Sequence, residues 1–298
     1  RIFRPLFEIS IGHNRGIEMN LEWRDKTESG FEYNVGVNMS TIRNRMTKLN
    51  GGTPISDGPF RNGSMYLTYT NEGMPIGAFW GYKTDGLIQT QEQLNAVKRA
   101  DFQPNAELGD VLFVDTNGDG KLDSSDRCMI GNPIPDIIYG INMGMAWKGF
   151  DLNLQFGGTI GNQIFNAMRY YTYFPNDITN KDRALMNYWT PNNTNTDIPR
   201  LTATDVNDND RFSDMYVENG TYFRLRNAQL GYTLPASLTQ RIKLQKVRFY
   251  VSGQNLFTIS SYSGMDPEVG QSSSLSRGID YGIYPQNISF TGGINVTF

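Results

Sequence analysis

The feature that most limits how this chain can fold is an alternation of apolar and polar residues, repeated in segments of roughly ten residues. In residues 287–298, apolar or glycine positions alternate with small polar ones up to the final Phe298. Because successive side chains of a β-strand point to opposite faces, this pattern predicts a strand with one apolar and one polar face. The pattern recurs in 17–23, 31–40, 137–147, 150–156 and 247–252, and with an ambiguous phase in 221–234.

The apolar positions of these segments are rich in aromatic residues, and the polar positions carry many Asn, Glu and Gln residues. Two or three such segments would fit a soluble β-sandwich, but the number found here strains that interpretation. A transmembrane β-barrel requires the pattern, because its strands face lipid on one side and a polar lumen on the other. The sequence therefore predicts an all-β fold, a transmembrane antiparallel β-barrel.

The connections between these segments have two very different lengths. The short ones are 25–30, 148–149 and 235–245, and the long ones are 44–136, 159–220 and 259–286. Outer-membrane barrels have short periplasmic turns and long extracellular loops, and strand parity places all the short connections on the side where Phe298 ends. This predicts about eight strands, one of them near residues 3–11. It also makes 44–136 one long extracellular excursion, with residues 76–82 inside it.

Composition and motifs argue against several functions. A net charge of −3 without a basic run argues against nucleic-acid binding. The single cysteine, Cys128, cannot form an intramolecular disulfide, and no run of about 18 apolar residues could form a transmembrane helix. His13 is the only histidine, and no nucleophile elbow, P-loop or zinc spacing occurs. The sequence therefore predicts a protein that is not an enzyme.

The segment 115–126 has the spacing of a calcium-binding loop, D-x-N-x-D-G. Ca²⁺ takes about six to eight oxygen ligands, and the first three side chains converge only if the chain turns sharply at the sixth position, where Gly120 lies. The predicted ligands are Asp115, Asn117, Asp119, Lys121 through its carbonyl oxygen, Asp123 and Asp126. Leu122 would anchor the loop on an apolar neighbour.

Two features of this loop depart from an EF-hand. The last ligand is Asp126 rather than the longer Glu, and residues 110–114 have the pattern of a strand rather than a helix. Without a pair of helices there is no hinge to open, so we expect the Ca²⁺ to be structural. An Asp- and Gly-rich turn that binds no ion is the alternative.

Taken together, the strands and this loop resemble the C-terminal part of the SusC/RagA-type TonB-dependent transporters. The resemblance covers nearly the whole chain. It is carried, in order, by 14–18, 38–44, 77–86, 109–110, 115–126, 130–135, 149–152, 224–227, 230–235 and 252–257.

The resemblance implies a 22-stranded barrel of which this chain, 1–298, supplies the C-terminal strands within one domain. It implies the outer membrane of a Gram-negative bacterium, import of oligosaccharides or peptides driven through TonB, and a SusD-like surface lipoprotein as a lid. No plug or TonB-contacting segment occurs in these residues. We therefore expect an upstream barrel and plug segment to complete the transporter, because open strand edges are not tolerated in lipid.

Aromatic residues in the predicted loops are candidate substrate-binding residues, because sugars stack on aromatic rings and peptides fill aromatic pockets. The candidates are Tyr170, Tyr171, Tyr173, Phe174, Trp189, Tyr262, Tyr281 and Tyr284. We expect the cluster 170–174 to be the best of them, since one short loop cannot bury four aromatic residues. Packing within the loops or against the lid is the alternative for each.

Two other functions remain open at this point. One is an outer-membrane barrel or adhesin that transports nothing and needs no plug. The other is a soluble, calcium-stabilised β-sandwich that binds carbohydrate, whose apolar strand faces would pack against each other.

Overall fold

The computed structural model describes residues 10–61, 63–174, 180–270 and 273–298. The strands in this part of the chain are β1 (Ile11–Arg15), β2 (Glu18–Lys26), β3 (Glu32–Thr41), β4 (Arg43–Lys48), β5 (Ile55–Phe60), β6 (Met65–Thr70), β7 (Ala78–Gly81), β8 (Thr84–Leu87), β9 (Val111–Phe113), β10 (Cys128–Gly131), β11 (Ile137–Trp147), β12 (Phe150–Ile160), β13 (Gln163–Asn166), β14 (Val217–Asn219), β15 (Tyr222–Thr233), β16 (Lys246–Ser260), β17 (Ile279–Asp280) and β18 (Ser289–Thr297).

Helices are few and short in the described segments. The α-helices are α1 (Gln91–Arg99), α2 (Ala167–Tyr173) and α3 (Ala236–Thr239), and the 3-10 helices are Asn50–Gly52, Ser124–Asp126, Arg183–Asn187, Asp214–Tyr216 and Gln240–Ile242. In the described part of the chain, no helix has the length and apolar character needed to cross a membrane.

Seven strands form one large antiparallel sheet in the order β18-β16-β15-β12-β11-β3-β2. The turns β2–β3, β11–β12 and β15–β16 are short and lie at one end of this sheet, where Lys246 pairs with Thr297. The three long connections lie at the other end. The structure thus has the predicted asymmetry of short and long connections.

Residues that pair across neighbouring strands point to the same face of the sheet. The register therefore shows that one face of the sheet is apolar. It carries Trp23, Val35, Met143, Leu154, Leu230, Val251 and Ile294, among others. Many of these side chains are exposed, with Trp23 at 63% and Val251 at 60%. No described residues cover this face, although covering apolar side chains is the main force that folds a soluble sheet.

The ambiguous phase of residues 221–234 has a structural cause. The ladder between β12 and β15 shifts where the adjacent residues Gln155 and Phe156 pair with Asn227 and Leu225, which leaves Arg226 without a partner in β12. Such a β-bulge places two successive residues opposite one, so the inward and outward positions change parity at Arg226. Phe223 and Leu230 therefore share the apolar face although an odd number of positions separates them.

The prediction of a mostly β chain is confirmed, whereas a closed barrel and the strand count are not seen in this chain. β2 and β18 are the two edges of the seven-stranded sheet and do not pair with each other. The eighth strand, expected near residues 3–11, lies almost entirely outside the described residues. Residues 76–82 contribute β7, which belongs to a separate sheet and not to the seven-stranded one.

The three long connections fold together into one body, which we call the loop body. It contains a four-stranded sheet, β10-β7-β6-β5, and smaller sheets of β14-β13-β17 and β8-β9. Its main core unites side chains from all three connections: Phe60, Leu67, Phe79, Ile130, Phe165, Ala167, Tyr170, Phe174, Phe212, Tyr216 and Ile279. The loops are therefore packed against one another rather than separately extended.

Candidate functional site

Buried ion pairs hold the loop body together. Arg200, from the second long connection, donates from Nε to Asp110 Oδ1 in the first at 2.6 Å, and Asn209 Nδ2 donates to the same oxygen at 3.0 Å. Asp110 is completely buried. Because a buried carboxylate is stable only when it is paired, this contact fixes the first two connections relative to each other.

A second buried pair joins the loop body to the large sheet. Arg224, on the polar face of β15, donates to Asp266 Oδ1 at 2.5 Å and to Glu268 Oε2 at 2.8 Å, both in the third connection. Its Nε also donates to Thr258 Oγ1 in β16 at 2.8 Å. The third connection is therefore anchored across the end of the sheet.

Four of the eight predicted substrate-binding aromatics are buried. Tyr170 and Phe174 lie in the main core of the loop body, Trp189 packs in a second core with Phe113, and Tyr262 donates to Asp280 Oδ2 at 2.6 Å. Burial and the adjacent Asp280 carboxylate raise the pKa of Tyr262, which keeps its hydroxyl a donor. These four side chains pack the loops and present little surface to a ligand.

The expectation for the cluster 170–174 was based on one loop acting alone. The neighbouring connections supply the missing cover, since Phe60 packs on Tyr170 with ring centroids 4.9 Å apart and Tyr216 packs on it at 5.2 Å. Tyr171 and Tyr173 are half-buried. Tyr281 and Tyr284 are exposed, at 43% and 83%. The exposed and half-buried members are the ones that a ligand can reach.

A cavity of about 310 Å³ lies between α2 and the third connection and brings one predicted residue, Tyr173, together with groups that the sequence did not indicate. Its lining residues are Asn166, Met168, Arg169, Thr172, Tyr173, Asp182, Ser263, Gly264, Met265, Asp280 and Gly282. The Arg169 guanidinium lies over the Tyr173 ring at 5.0 Å and pairs with Asp197. An aromatic face, a cation and carboxylates around one cavity suit a polar ligand with hydroxyl or amide groups.

The residues of the predicted calcium loop form a tight turn. Asp115 accepts hydrogen bonds from the Gly118 N–H at 2.6 Å and the Gly120 N–H at 2.8 Å. The Gly120 N–H holds the pKa of Asp115 below its ordinary value, so this carboxylate is ionised. Gly120 has a φ of +79°, the left-handed conformation that favours glycine at the sharp turn.

The second half of this loop is fixed by Asp126, which is completely buried. Its two carboxylate oxygens accept the N–H groups of Thr116 and Asp123, each at 3.0 Å. Leu122 packs on the core that contains Trp189, as expected for an anchor. The loop ends in the 3-10 helix Ser124–Asp126, and its flanks are the strands β9 and β10, so no helix pair surrounds it.

Within the described residues, no three carboxylate, imidazole or thiol groups converge closely enough to hold a metal ion. Asn117, Asp119 and Asp123 instead accept hydrogen bonds from nearby backbone N–H groups. A carboxylate or amide oxygen has two lone pairs, so these hydrogen bonds leave acceptor capacity on each side chain. Calcium binding at this loop stays a prediction.

No protein-family model matches the chain, whereas individual proteins are similar to it in sequence and in structure. TonB-dependent receptor P3 of Formosa agariphila is 36% identical over 297 residues, which cover 96% of this chain and 28% of that protein. TonB-dependent receptor SusC of Bacteroides thetaiotaomicron is 27% identical over 286 residues, which cover 96% of this chain and 26% of SusC. The chain thus spans less than a third of the length of these relatives.

Among solved structures, the RagAB peptide transporter has a similar fold, with a TM-score of 0.74 and 23% sequence identity. The match covers 96% of this chain and 29% of the RagAB chain. RagAB in the open-open state of the peptide importer gives a TM-score of 0.73 at 24% identity. At these identities the similarity concerns the fold alone.

Proposed function

Because this chain is homologous over almost its whole length to TonB-dependent receptors of the SusC/RagA type, we propose that it forms the C-terminal part of an outer-membrane nutrient transporter. The observation that carries the proposal is the large sheet, whose apolar face is exposed and whose long connections all lie at one end. A hydrocarbon surface would cover such a face, and extracellular loops would occupy such an end.

The transporter would act together with a SusD-like surface lipoprotein and with TonB, the second through an upstream plug. The strand edges β2 and β18 support an upstream barrel segment, because no described strand pairs with the outer side of either and lipid cannot satisfy unpaired backbone groups. The chain would form part of one barrel domain, with 44–136 as a long extracellular excursion. The site of action would be the outer membrane of a Gram-negative bacterium.

The cargo would be an oligosaccharide or a peptide, and one protein of similar fold is named a peptide transporter. The surface that would contact it includes Tyr281 and Tyr284 and the cavity beside Tyr173. Transport of this kind needs binding and release but no covalent chemistry, which accords with relatives that are named as receptors.

The experiment that tests this proposal is purification of the native protein from membranes in mild detergent, with mass spectrometry of every co-purifying chain and small molecule. We expect a plug-bearing segment, a lipoprotein and a glycan or peptide. Uptake of that molecule should stop in cells that lack TonB. Uptake that continues without TonB, or recovery without any cargo, would favour the adhesin.

A soluble β-sandwich would require a different packing of the large sheet. Its apolar face has to pack against a second sheet, whereas Leu21, Val251 and Phe290 are each at least 59% exposed here. A sandwich would also extract from cells without detergent. Extraction in buffer alone would therefore contradict the transporter and support the carbohydrate-binding sandwich.

Aromatic residues of the loop body give a sharper test of the cargo surface. Tyr281→Ala and Tyr284→Ala together should lower uptake or binding of the identified cargo, because both rings are exposed to a ligand. Tyr66→Ala is the matched control, since Tyr66 is an exposed tyrosine of the loop body in β6. Equal loss in the control would show that the effect comes from folding rather than recognition.

We also propose that the loop 115–126 binds a structural Ca²⁺. The spacing of its side chains, the ionised Asp115 and the left-handed Gly120 support this. The ion would tie the first long connection between β9 and β10. It would stiffen the loop body and take no part in transport.

A further inference from the structure

Three arginines and a histidine lie at the end of the large sheet where the long connections begin. β1 and β4 form a two-stranded ribbon in which His13 lies opposite Arg45 and Arg15 lies opposite Arg43. Alternate residues of a strand share a face, so these four side chains lie on the same face of the ribbon. All four are exposed.

The other face of the ribbon is occupied by a contact with the loop body. Asn44 Nδ2 donates to Asn14 Oδ1 at 2.6 Å, and Asn44 Oδ1 accepts the Ile76 N–H at 2.8 Å. Met46, on this same face, is buried. The asparagine pair thus holds the ribbon on the loop body, and the arginines of the other face remain exposed.

The three arginines and His13 line a cavity of about 670 Å³, and Asp136 lies among its other lining residues. Asp136 is the one carboxylate among these lining residues. In the described residues, none of Arg15, Arg43 and Arg45 forms an ion pair. The cavity therefore has an uncompensated positive charge and is large enough for a sugar-phosphate headgroup.

The position of the cavity relative to the apolar face indicates the kind of anion. β1 and β4 continue the ladder of β2 and β3 without a change of register, since Arg15 pairs with Arg43 and Glu18 with Ser40. Ile17, 70% exposed, is the first residue of the apolar series that continues through Trp23. Arg15 precedes Ile17 by two residues, which is about 7 Å along a strand.

We propose that this cavity binds the phosphate groups of a membrane-lipid headgroup. The inference rests on the proposed function in one respect, namely that the apolar face of the sheet contacts hydrocarbon. Given that placement, the arginines lie at headgroup depth, where a lipid phosphate is held within a few ångströms of them. Arginine is suited to the task because its planar guanidinium donates two parallel hydrogen bonds to a phosphate.

The test uses the complete receptor purified from outer membranes, with native mass spectrometry of the lipids that it retains in mild detergent. The probes are diphosphorylated lipid A, the same lipid A after phosphatase treatment, and inorganic phosphate. The test variant is Arg43→Gln with Arg45→Gln. The matched control is Arg24→Gln, an exposed arginine of β2 near the short turns at the other end of the sheet.

We expect the wild type to retain diphosphorylated lipid A, and the double variant to bind it at least about tenfold more weakly, which is the loss of about 1.4 kcal/mol. The control should bind like the wild type, and binding should weaken with added salt. The variant Arg43→Lys with Arg45→Lys should bind the lipid better than the double glutamine variant. Its binding would also show that a ribbon substituted at both positions still folds. Heat-modifiable migration on gels checks that each variant is folded.

Three results would overturn the proposal. Equal retention by the wild type and the double variant would mean that the arginines bind no lipid phosphate. Equal binding of the dephosphorylated lipid would mean that the acyl chains alone are recognised. Competition by inorganic phosphate at the concentration of the lipid would point to a soluble anion instead. None of these results bears on cargo uptake, so failure here leaves the proposed transport function separately testable.

Discussion

Arg224 and Asp266 form a buried ion pair with 2.5 Å between the guanidinium nitrogen and the carboxylate oxygen, although 42 positions separate them in the chain. Arg224 is 2% exposed and Asp266 is 4% exposed. Each has other partners as well, since Arg224 also donates to Thr258 and Asp266 Oδ2 also accepts the Gln286 N–H at 2.9 Å. The pair therefore fixes both ends of the third long connection to the large sheet.

Arg224→Met should release this connection. Removing one partner of a buried pair leaves the other charge unpaired, which costs about 3–5 kcal/mol in comparable cases. We expect a lower thermal midpoint and faster proteolysis within 261–288. The control is Arg24→Met, which removes an exposed pair with Glu22 and should cost under about 1 kcal/mol. Similar losses in both variants would contradict an anchoring role for Arg224.

The same pair predicts how stability depends on pH. Burial alone would raise the pKa of Asp266, but the N–H groups of Gln286 and Glu268 and the Arg224 guanidinium lower it below its ordinary value. A carboxylate with a lowered pKa stabilises the fold above its unfolded pKa of about 4 and loses this contribution as the pH falls through its folded pKa. The thermal midpoints of wild type and Asp266→Asn should therefore converge as the pH is lowered from about 6 to 3.

Asp214 provides a control of opposite sign. Burial raises the pKa of Asp214, despite hydrogen bonds from Thr84. Its native state binds a proton more readily than the unfolded chain, so acidification should favour the native wild type over Asp214→Asn. Parallel changes in the Asp266 and Asp214 variants would mean that general acid denaturation, rather than these carboxylates, governs the result.

The sequence predicted the large sheet well because the pattern that specifies each strand is local. Ten-residue alternation fixes which face of each strand is apolar, and the lengths of the connections fix which strand ends lie together. One local signal was missed: Thr90 and Gln93 form a capping box that starts α1, with the Gln93 N–H donating to Thr90 Oγ1 at 3.2 Å. The T-x-x-Q spacing was readable and would have predicted that helix.

The loop body could not be predicted in the same way, because its contacts join distant parts of the chain. Nothing near Tyr170 indicates that Phe60 and Tyr216 will bury it, and nothing near Arg169 indicates a cavity shared with Asp280. The aromatic cluster therefore looked exposed from its own sequence. Its burial follows from the packing of three connections against one another, and the local alternation of residues does not predict contacts between distant segments.

Calcium removal tests the loop 115–126. If the loop binds a structural ion, chelation with EGTA should lower the thermal midpoint of the wild type, and excess Ca²⁺ should restore it, because a ligand that binds only the native state stabilises it. Asp115→Asn with Asp119→Asn should already have the lower midpoint and should not respond to EGTA. Asp85→Asn, an exposed aspartate outside the loop, is the control and should respond like the wild type.

The loop 115–126 could also be closed without Ca²⁺, and the same experiment would show this. The loop has its own hydrogen bonds from Gly118, Gly120 and Thr116 to aspartate oxygens, and these could close it without an ion. A wild-type midpoint that is the same in EGTA and in Ca²⁺, with intact folding, would show that they do. The segment would then be an Asp- and Gly-rich turn that resembles a calcium site in spacing alone.

The environment of the large sheet can be tested with one charge placed on either face. Val251, in β16, is 60% exposed on the apolar face and lies opposite Leu230 and Gly292. Val251→Lys should sharply reduce the amount of folded protein in the outer membrane, since a lysine facing the middle of a bilayer costs about 2–4 kcal/mol in a barrel. Asn153→Lys, at an exposed position on the polar face of β12, is the matched control and should fold normally.

Water at both faces would make both lysines harmless, because an exposed valine replaced by lysine costs little in a soluble sheet. The difference between the two variants, measured as the heat-modifiable folded fraction, therefore reports directly on whether lipid contacts the apolar face.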